Sequence, residues 1–153
     1  MMPPSTLRPG RPADQPQLLA IVWATVMNSE SDRDELLAHP ELVEVPIEHL
    51  SAETCVVIEL DGAPAGFATV LPRPDGDAEL DGLFVLPERQ RLGFGRALVA
   101  EAAQLARAMG AATLHVIANE DANAFYRAVG FAQTGTAPTA LKPAPKMELR
   151  LGS

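Results

Sequence analysis

The sequence predicts a single α/β domain of mixed α+β order: a central mixed sheet of about seven strands covered by about four helices. Three observations carry that reading. Two β-branched runs flank an Asp-Gly pair in the front half, a hairpin signal. The rear half repeats strand, helix, strand, and such units place helices over a partly parallel sheet. A chain of 153 residues, 47% apolar, suits one core and one domain over residues 1–153.

Each element has its own signal. Leu7 to Arg11 reads as an edge strand, interrupted by Pro9 and Pro12, because proline cannot donate to a ladder. Asp14 is placed to cap a helix through Gln15-Pro16, with Leu18, Leu19, Val22, Val26 and Met27 as its apolar stripe. Asp32 with Glu35 three residues on resembles a capping box for a short helix that ends before Pro40. Glu41 to Leu50 carries no assignment. Thr54 to Leu60 and Ala65 to Leu71 are strands around Asp61-Gly62, and residues 72–77 form a loop. Ala78 to Val85 is the next strand. A helix from about Gly93 to Met109 puts Phe94, Leu98, Ala102, Leu105 and Met109 on one face and stops at Gly110. Thr113 to Ile117 is a strand, Ala122 to Val129 a short helix closed by Gly130, and Phe131 to Gly135 a strand. Lys146 to Leu151 alternates polar and apolar, as a half-buried final strand should.

The richest segment is Gln90-Arg91-Leu92-Gly93-Phe94-Gly95-Arg96, between a strand and an alanine-rich helix. Such a turn aims unpaired backbone N–H groups and the positive end of a helix dipole at one point, which suits a diphosphate. Gly93 and Gly95 would let the backbone approach a ligand closely, and Arg91 and Arg96 add charge. A dinucleotide fingerprint fails because its third glycine position is Leu98, and no Gly-Lys-Ser/Thr of a Walker loop follows.

Gln-x-x-Gly-x-Gly after Val85-Leu86-Pro87 resembles the acyl-coenzyme A loop of the GNAT superfamily of N-acetyltransferases. Downstream, Asn119 to Phe131 is similar to the family's Asn-x-x-Ala-x-x-x-Tyr-x-x-x-Gly-Phe, matched by Asn119, Ala122, Tyr126, Gly130 and Phe131. The resemblance is specific from about Ala78 to Phe131. It implies a sheet whose two adjacent parallel strands splay apart to admit acetyl-CoA as co-substrate. It further implies that Leu83, Phe84 and Val85 offer main-chain groups to the pantetheine arm, that Gln90, Arg91, Leu92, Gly93, Phe94, Gly95 and Arg96 take the diphosphate, and that Asn119 contacts the arm. Tyr126, the chain's single tyrosine, falls on the general-acid position.

Acetyl transfer needs a neutral amine, and an unperturbed amine of pKa about 10.4 costs roughly 4.6 kcal/mol to deprotonate at pH 7. A base is therefore expected, and the family often draws it from the strand before the glycine loop. Glu79 is the first choice, with Asp81 on the same face of that strand, alternating with Leu80 and Gly82. His115 on a neighbouring strand and a water chain remain alternatives. No covalent nucleophile is in place, Cys55 lying in another strand, so direct attack on the thioester in a ternary complex is the expected route. The expected acceptor is a primary amine of a small molecule or peptide. A noncatalytic acyl-CoA-binding module is the alternative from another class, and protein N-terminal acetylation a third.

Composition narrows partners. A net charge of −8 disfavours nucleic acid, which selects lysine and arginine stripes, and suits a cationic substrate. No apolar run spans a bilayer, Met1 to Ser5 lacks a signal-peptide core, and one cysteine allows no internal disulfide, so a cytoplasmic protein without membrane attachment is expected. His39, His49 and His115 lack partners at ligand spacing, so no metal is expected. The resemblance allows a homodimer, which no feature of the sequence specifies.

Overall fold

The computed structural model describes residues 4–152; the start of the N-terminal segment read above, Met1 to Pro3, lies outside them. One seven-stranded sheet forms from β1 (Thr6–Pro9), β2 (Cys55–Leu60), β3 (Ala63–Pro72), β4 (Ala78–Val85), β5 (Thr113–Ile117), β6 (Ala132–Ala137) and β7 (Ala144–Arg150), in the spatial order β1-β2-β3-β4-β5-β7-β6. Four α-helices accompany it: α1 (Gln15–Met27), α2 (Arg33–Ala38), α3 (Phe94–Ala108) and α4 (Asn123–Ala128). All pairings are antiparallel except β4 with β5. The mixed sheet with helices on both faces agrees with the sequence reading. Among the described residues, no helix is long and apolar enough to cross a membrane.

Two cores, one on each face, follow from the period-2 alternation of the strands. Val56, Ile58, Ala68 and Val70 meet Leu98, Val99, Ala102 and Ala106 of α3, whose alanines permit close approach to the sheet. Cys55, Val57 and Phe67 point the other way, onto Leu18, Ile21, Val22 and Val26 of α1. The α1 stripe thus runs through Ile21 in place of Met27, which is half exposed. The Asp61-Gly62 turn has φ of 55° and 79°, the two positive values that a type I′ hairpin requires. Glu41 to Leu50 contains two short 3-10 turns, Pro40–Leu42 and Ile47–His49. Burial pushes the Cys55 thiol up to about 12, so it packs as a small hydrophobe.

Neither expected aspartate cap forms. Asp14 instead takes both terminal nitrogens of Arg8, at 2.8 and 2.9 Å, and the Arg11 N–H at 2.9 Å, while Arg8 Nε reaches Glu59 at 2.8 Å. This network ties β1, β2 and the entry to α1 together. The Arg8 guanidinium holds the Asp14 carboxyl below its usual range, with the Arg11 N–H assisting and burial opposing. Its stabilising contribution is therefore complete above the unfolded carboxyl value of about 3.9 and is lost as pH falls through the lower folded value. Asp14→Asn leaves Arg8 without its bidentate carboxylate partner and is expected to cost about 2–3 kcal/mol. Urea unfolding at pH 7 checks the magnitude. As pH falls below about 4 the parent should lose stability more steeply than the variant.

Candidate active site

β4 and β5 are paired only at Ala78↔Leu114 and Glu79↔His115; beyond those residues they part. The gap is the root of a cleft of about 620 Å³ bounded by the α1–α2 segment, the end of β4, the glycine loop, and the turn into α4. Its shape originates in a bulge. Val70 of β3 faces Leu80 and Thr69 faces Gly82, which leaves Asp81 as the extra residue. A bulge bends its strand and shifts the side-chain alternation by one. Leu80, Leu83 and Val85 accordingly share the α3-side core while Phe84 joins the α1-side core. The strict alternation expected from sequence placed Gly82 opposite Asp81; instead a Cβ on Gly82 would meet the Phe84 ring at 2.9 Å and Thr69 Oγ1 at 3.4 Å.

The β3–β4 register decides which main-chain groups face the gap. Leu86 N–H donates to Ala65 at 2.9 Å, so by alternation the Phe84–Phe67 pair is also hydrogen-bonded across the ladder. The N–H and C=O of Leu83 and Val85 then point away from β3, toward the gap. Of the three residues expected to offer main-chain groups, Phe84 contributes its ring instead, tilted against Phe67 at 5.4 Å.

In the glycine loop, Arg91 and Gly93 adopt left-handed φ of 69° and 87°, and Gly93 caps α3. The first helical N–H groups have no acceptor within the helix, and among the described residues no N–H from Arg91 to Arg96 donates to a backbone or side-chain acceptor outside it. Successive N–H groups in such a loop form an anion-binding concavity. Gln90 Nε2 lies 3.4 Å from the Val85 carbonyl and braces the loop. Gln90, Arg91, Gly93, Gly95 and Arg96 line the cleft. Phe94 is buried in the core and Leu92 packs against it, so these two side chains act as anchors. Gly95 has a packing reason as well, since a Cβ there would sit 3.0 Å from the Phe125 ring.

Tyr126 lies on the far wall. It is 5% exposed and edge-packed against Phe125 and Phe131, both at 5.2 Å. Burial raises its phenol above the ordinary value, and among the described residues its hydroxyl makes no protein hydrogen bond. Asn119 both lines the cleft and caps the following turn, its Oδ1 accepting from Ala122 N–H at 2.8 Å.

The three candidate bases lie outside the cleft lining. Glu79 is half-buried and paired with Arg73 at 3.2 Å. Asp81 Oδ2 stands 3.7 Å from His49 Nδ1. His115 Nε2 meets Asp77 at 3.0 Å, and the same carboxylate accepts from Ala112 and Thr113 N–H at 3.3 and 3.2 Å. His115 foremost, with those N–H groups, holds the Asp77 carboxyl below its usual range. Asp75, Asp77 and His115 present ligand-type atoms within 4.8 Å of one another, a grouping that spacing along the chain concealed. Arg73 occupies the Asp75 carboxylate at 3.0 Å, so this cluster already carries its own cation.

The residues that close the opposite rim of the cleft carry no motif in the sequence. Asp121 Oδ2 accepts from Ser31 Oγ at 2.8 Å and Ser29 Oγ at 3.1 Å, and Lys142 Nζ lies 3.5 Å from Asp32. Three chain segments thereby meet across the mouth.

A model of the acetyltransferase (GNAT) family matches residues 20–131. Among solved structures, the chain is similar to a GCN5-related N-acetyltransferase from Rhodopseudomonas palustris, with 24% identity, a TM-score of 0.79 and 98% of each chain covered. It is also similar to the ribosomal-protein-S18-alanine N-acetyltransferase from Escherichia coli, with 21% identity, a TM-score of 0.70, and 98% of this chain and 96% of that one covered. Against N-acetylglutamate synthase from Neisseria gonorrhoeae, complexed with coenzyme A and N-acetyl-glutamate, identity is 20% and the TM-score 0.72, over 100% of this chain and 36% of that one. At these identities the likeness is one of fold. No curated protein sequence matches significantly.

Proposed function

The chain belongs to the acetyltransferase (GNAT) family and is an acyltransferase that uses acetyl-CoA; from that premise we propose that it acetylates a primary amine of a small molecule by direct attack in a ternary complex. One observation carries the reading: the β4–β5 gap, faced by the main-chain groups of Leu83 and the Val85 N–H, opens onto the unpaired N–H groups of residues 91–96 and faces Tyr126. The loop N–H groups, Arg91 and Arg96 bind the diphosphate of the co-substrate. Leu83 and Val85 pair with the pantetheine arm as an added strand would, and an N–H there polarises the thioester carbonyl. Asn119 steadies the arm.

In the reaction, the amine nitrogen bonds to the carbonyl carbon, the C–S bond breaks, and the nitrogen loses a proton. Because no carboxylate of β4 reaches the cleft wall, that proton leaves through water ending on Glu79 or Asp81. Tyr126 meets the departing sulfur. A phenol near 10 against a thiol near 8.5 makes full proton transfer uphill by about 2 kcal/mol, and burial of Tyr126 widens the gap. Tyr126 thus acts first as a hydrogen-bond donor to the developing thiolate, with the proton following as the bond breaks.

Thiol release from acetyl-CoA, monitored over a panel of primary amines and short peptides, tests the reading. Turnover of small amines supports it, and turnover of peptides alone would shift it to protein N-terminal acetylation. Calorimetric binding of acetyl-CoA without any turnover would instead mark a noncatalytic binding module.

A further inference from the structure

Resting on the N-acetyltransferase reading, we infer that Asp121 is a specificity-determining residue whose carboxylate anchors a second, non-reacting cationic group of the acceptor, so that diamines are preferred over monoamines. The charged groups lining the cleft divide by segment. Arg91 and Arg96 stand at the glycine loop and the start of α3, whereas Asp32 and Asp121 stand on the α1–α2 segment and the turn before α4. Asp32 already has Lys142 at 3.5 Å. Asp121 has no cationic partner among the described residues; both of its donors, Ser29 and Ser31, go to Oδ2. Oδ1 of this exposed carboxylate has no protein donor among the described residues, and two hydroxyls hold the group in place.

Tyr126 supplies the independent observation. It is 95% buried, 5% being exposed, its hydroxyl has no protein partner among the described residues, and it lines the same cleft. On the proposed reading it marks the end where chemistry occurs. A carboxylate on the reacting amine would favour the ammonium form and oppose the deprotonation that attack demands. The same carboxylate suits an amine that stays charged. Asp121 and Tyr126 thus divide the cleft between holding a cation and meeting the leaving sulfur.

The test compares kcat/KM for 1,3-diaminopropane to 1,6-diaminohexane with that for propylamine to hexylamine, in the parent, in Asp121→Asn and in Ser31→Ala. Asp121→Asn keeps the volume and an oxygen for the serines while removing the charge. The parent should prefer the diamine at its best length by about tenfold or more, the effect of one charge-assisted hydrogen bond. Asp121→Asn should reduce that preference to about twofold or less, chiefly through KM, and Ser31→Ala should retain most of it. Equal use of diamines and monoamines by the parent would overturn the inference. So would a preference that survives in Asp121→Asn, one lost only in Ser31→Ala, or an equal loss of acetyl-CoA affinity measured by calorimetry. If the parent binds acetyl-CoA and acetylates no amine, the parent reading itself fails and this inference with it.

Discussion

Replacing Tyr126 with Phe is expected to lower kcat by about 10²–10³-fold, the usual size of a general-acid contribution, with a much smaller change in acetyl-CoA affinity. The substitution removes one oxygen and leaves the ring. The edge contacts with Phe125 and Phe131, both at 5.2 Å, are kept, and since the hydroxyl has no protein partner among the described residues no buried group among them loses a hydrogen bond. Stability should therefore hold or rise slightly, which separates the catalytic effect from unfolding. Thiol release at saturating acetyl-CoA, together with thermal unfolding, gives both readouts. The pH dependence is also fixed in sign. Burial raises the phenol above its ordinary value of about 10, so the parent retains its proton throughout the neutral range and no limb of its rate profile below about pH 10 belongs to this group. Parent-like turnover in the variant would remove Tyr126 from the chemistry.

Regular periodicity made most of the fold legible. The Asp61-Gly62 turn could be read because only residues tolerant of positive φ serve there, and both angles are positive. The strand, loop and helix around Gly93 were legible for a similar reason: backbone geometry, more than side-chain partnership, selects the residues. What could not be read depends on groups far apart in the chain. Asp14 stands where a cap belongs, yet Arg8, on a strand across the network, claims its carboxylate. Asp121 gains its setting from serines about ninety residues away. The bulge at Asp81 is hidden differently, since one inserted residue leaves composition unchanged while reversing which face every later side chain takes. That reversal sends Leu83 and Val85 side chains to the α3 core and Phe84 to the other face. The candidate base was the least legible choice, because a carboxylate on the right strand can still be turned to a neighbour, as Glu79 is to Arg73.

Gly93→Val should weaken coenzyme A binding about a hundredfold or more while leaving the protein folded. Gly93 has φ of 87° and ψ of 4° as the cap of α3, a left-handed conformation that costs an L-residue about 1–2 kcal/mol and a β-branched one more. The loop can relieve that strain by returning to negative φ, which redirects the N–H groups of residues 94–96 away from their common focus. Loss of two charge-assisted hydrogen bonds, each about 1.5–3 kcal/mol, accounts for the expected factor. Calorimetric titration with coenzyme A measures it. S-acetylpantetheine, which has the thioester and the arm but no diphosphate, provides the internal comparison. The advantage of acetyl-CoA over S-acetylpantetheine in kcat/KM should shrink sharply in Gly93→Val, because only the diphosphate contacts are lost. An unchanged advantage would mean that the amides of residues 91–96 do not hold the diphosphate, and the assignment of this cleft would fall with them.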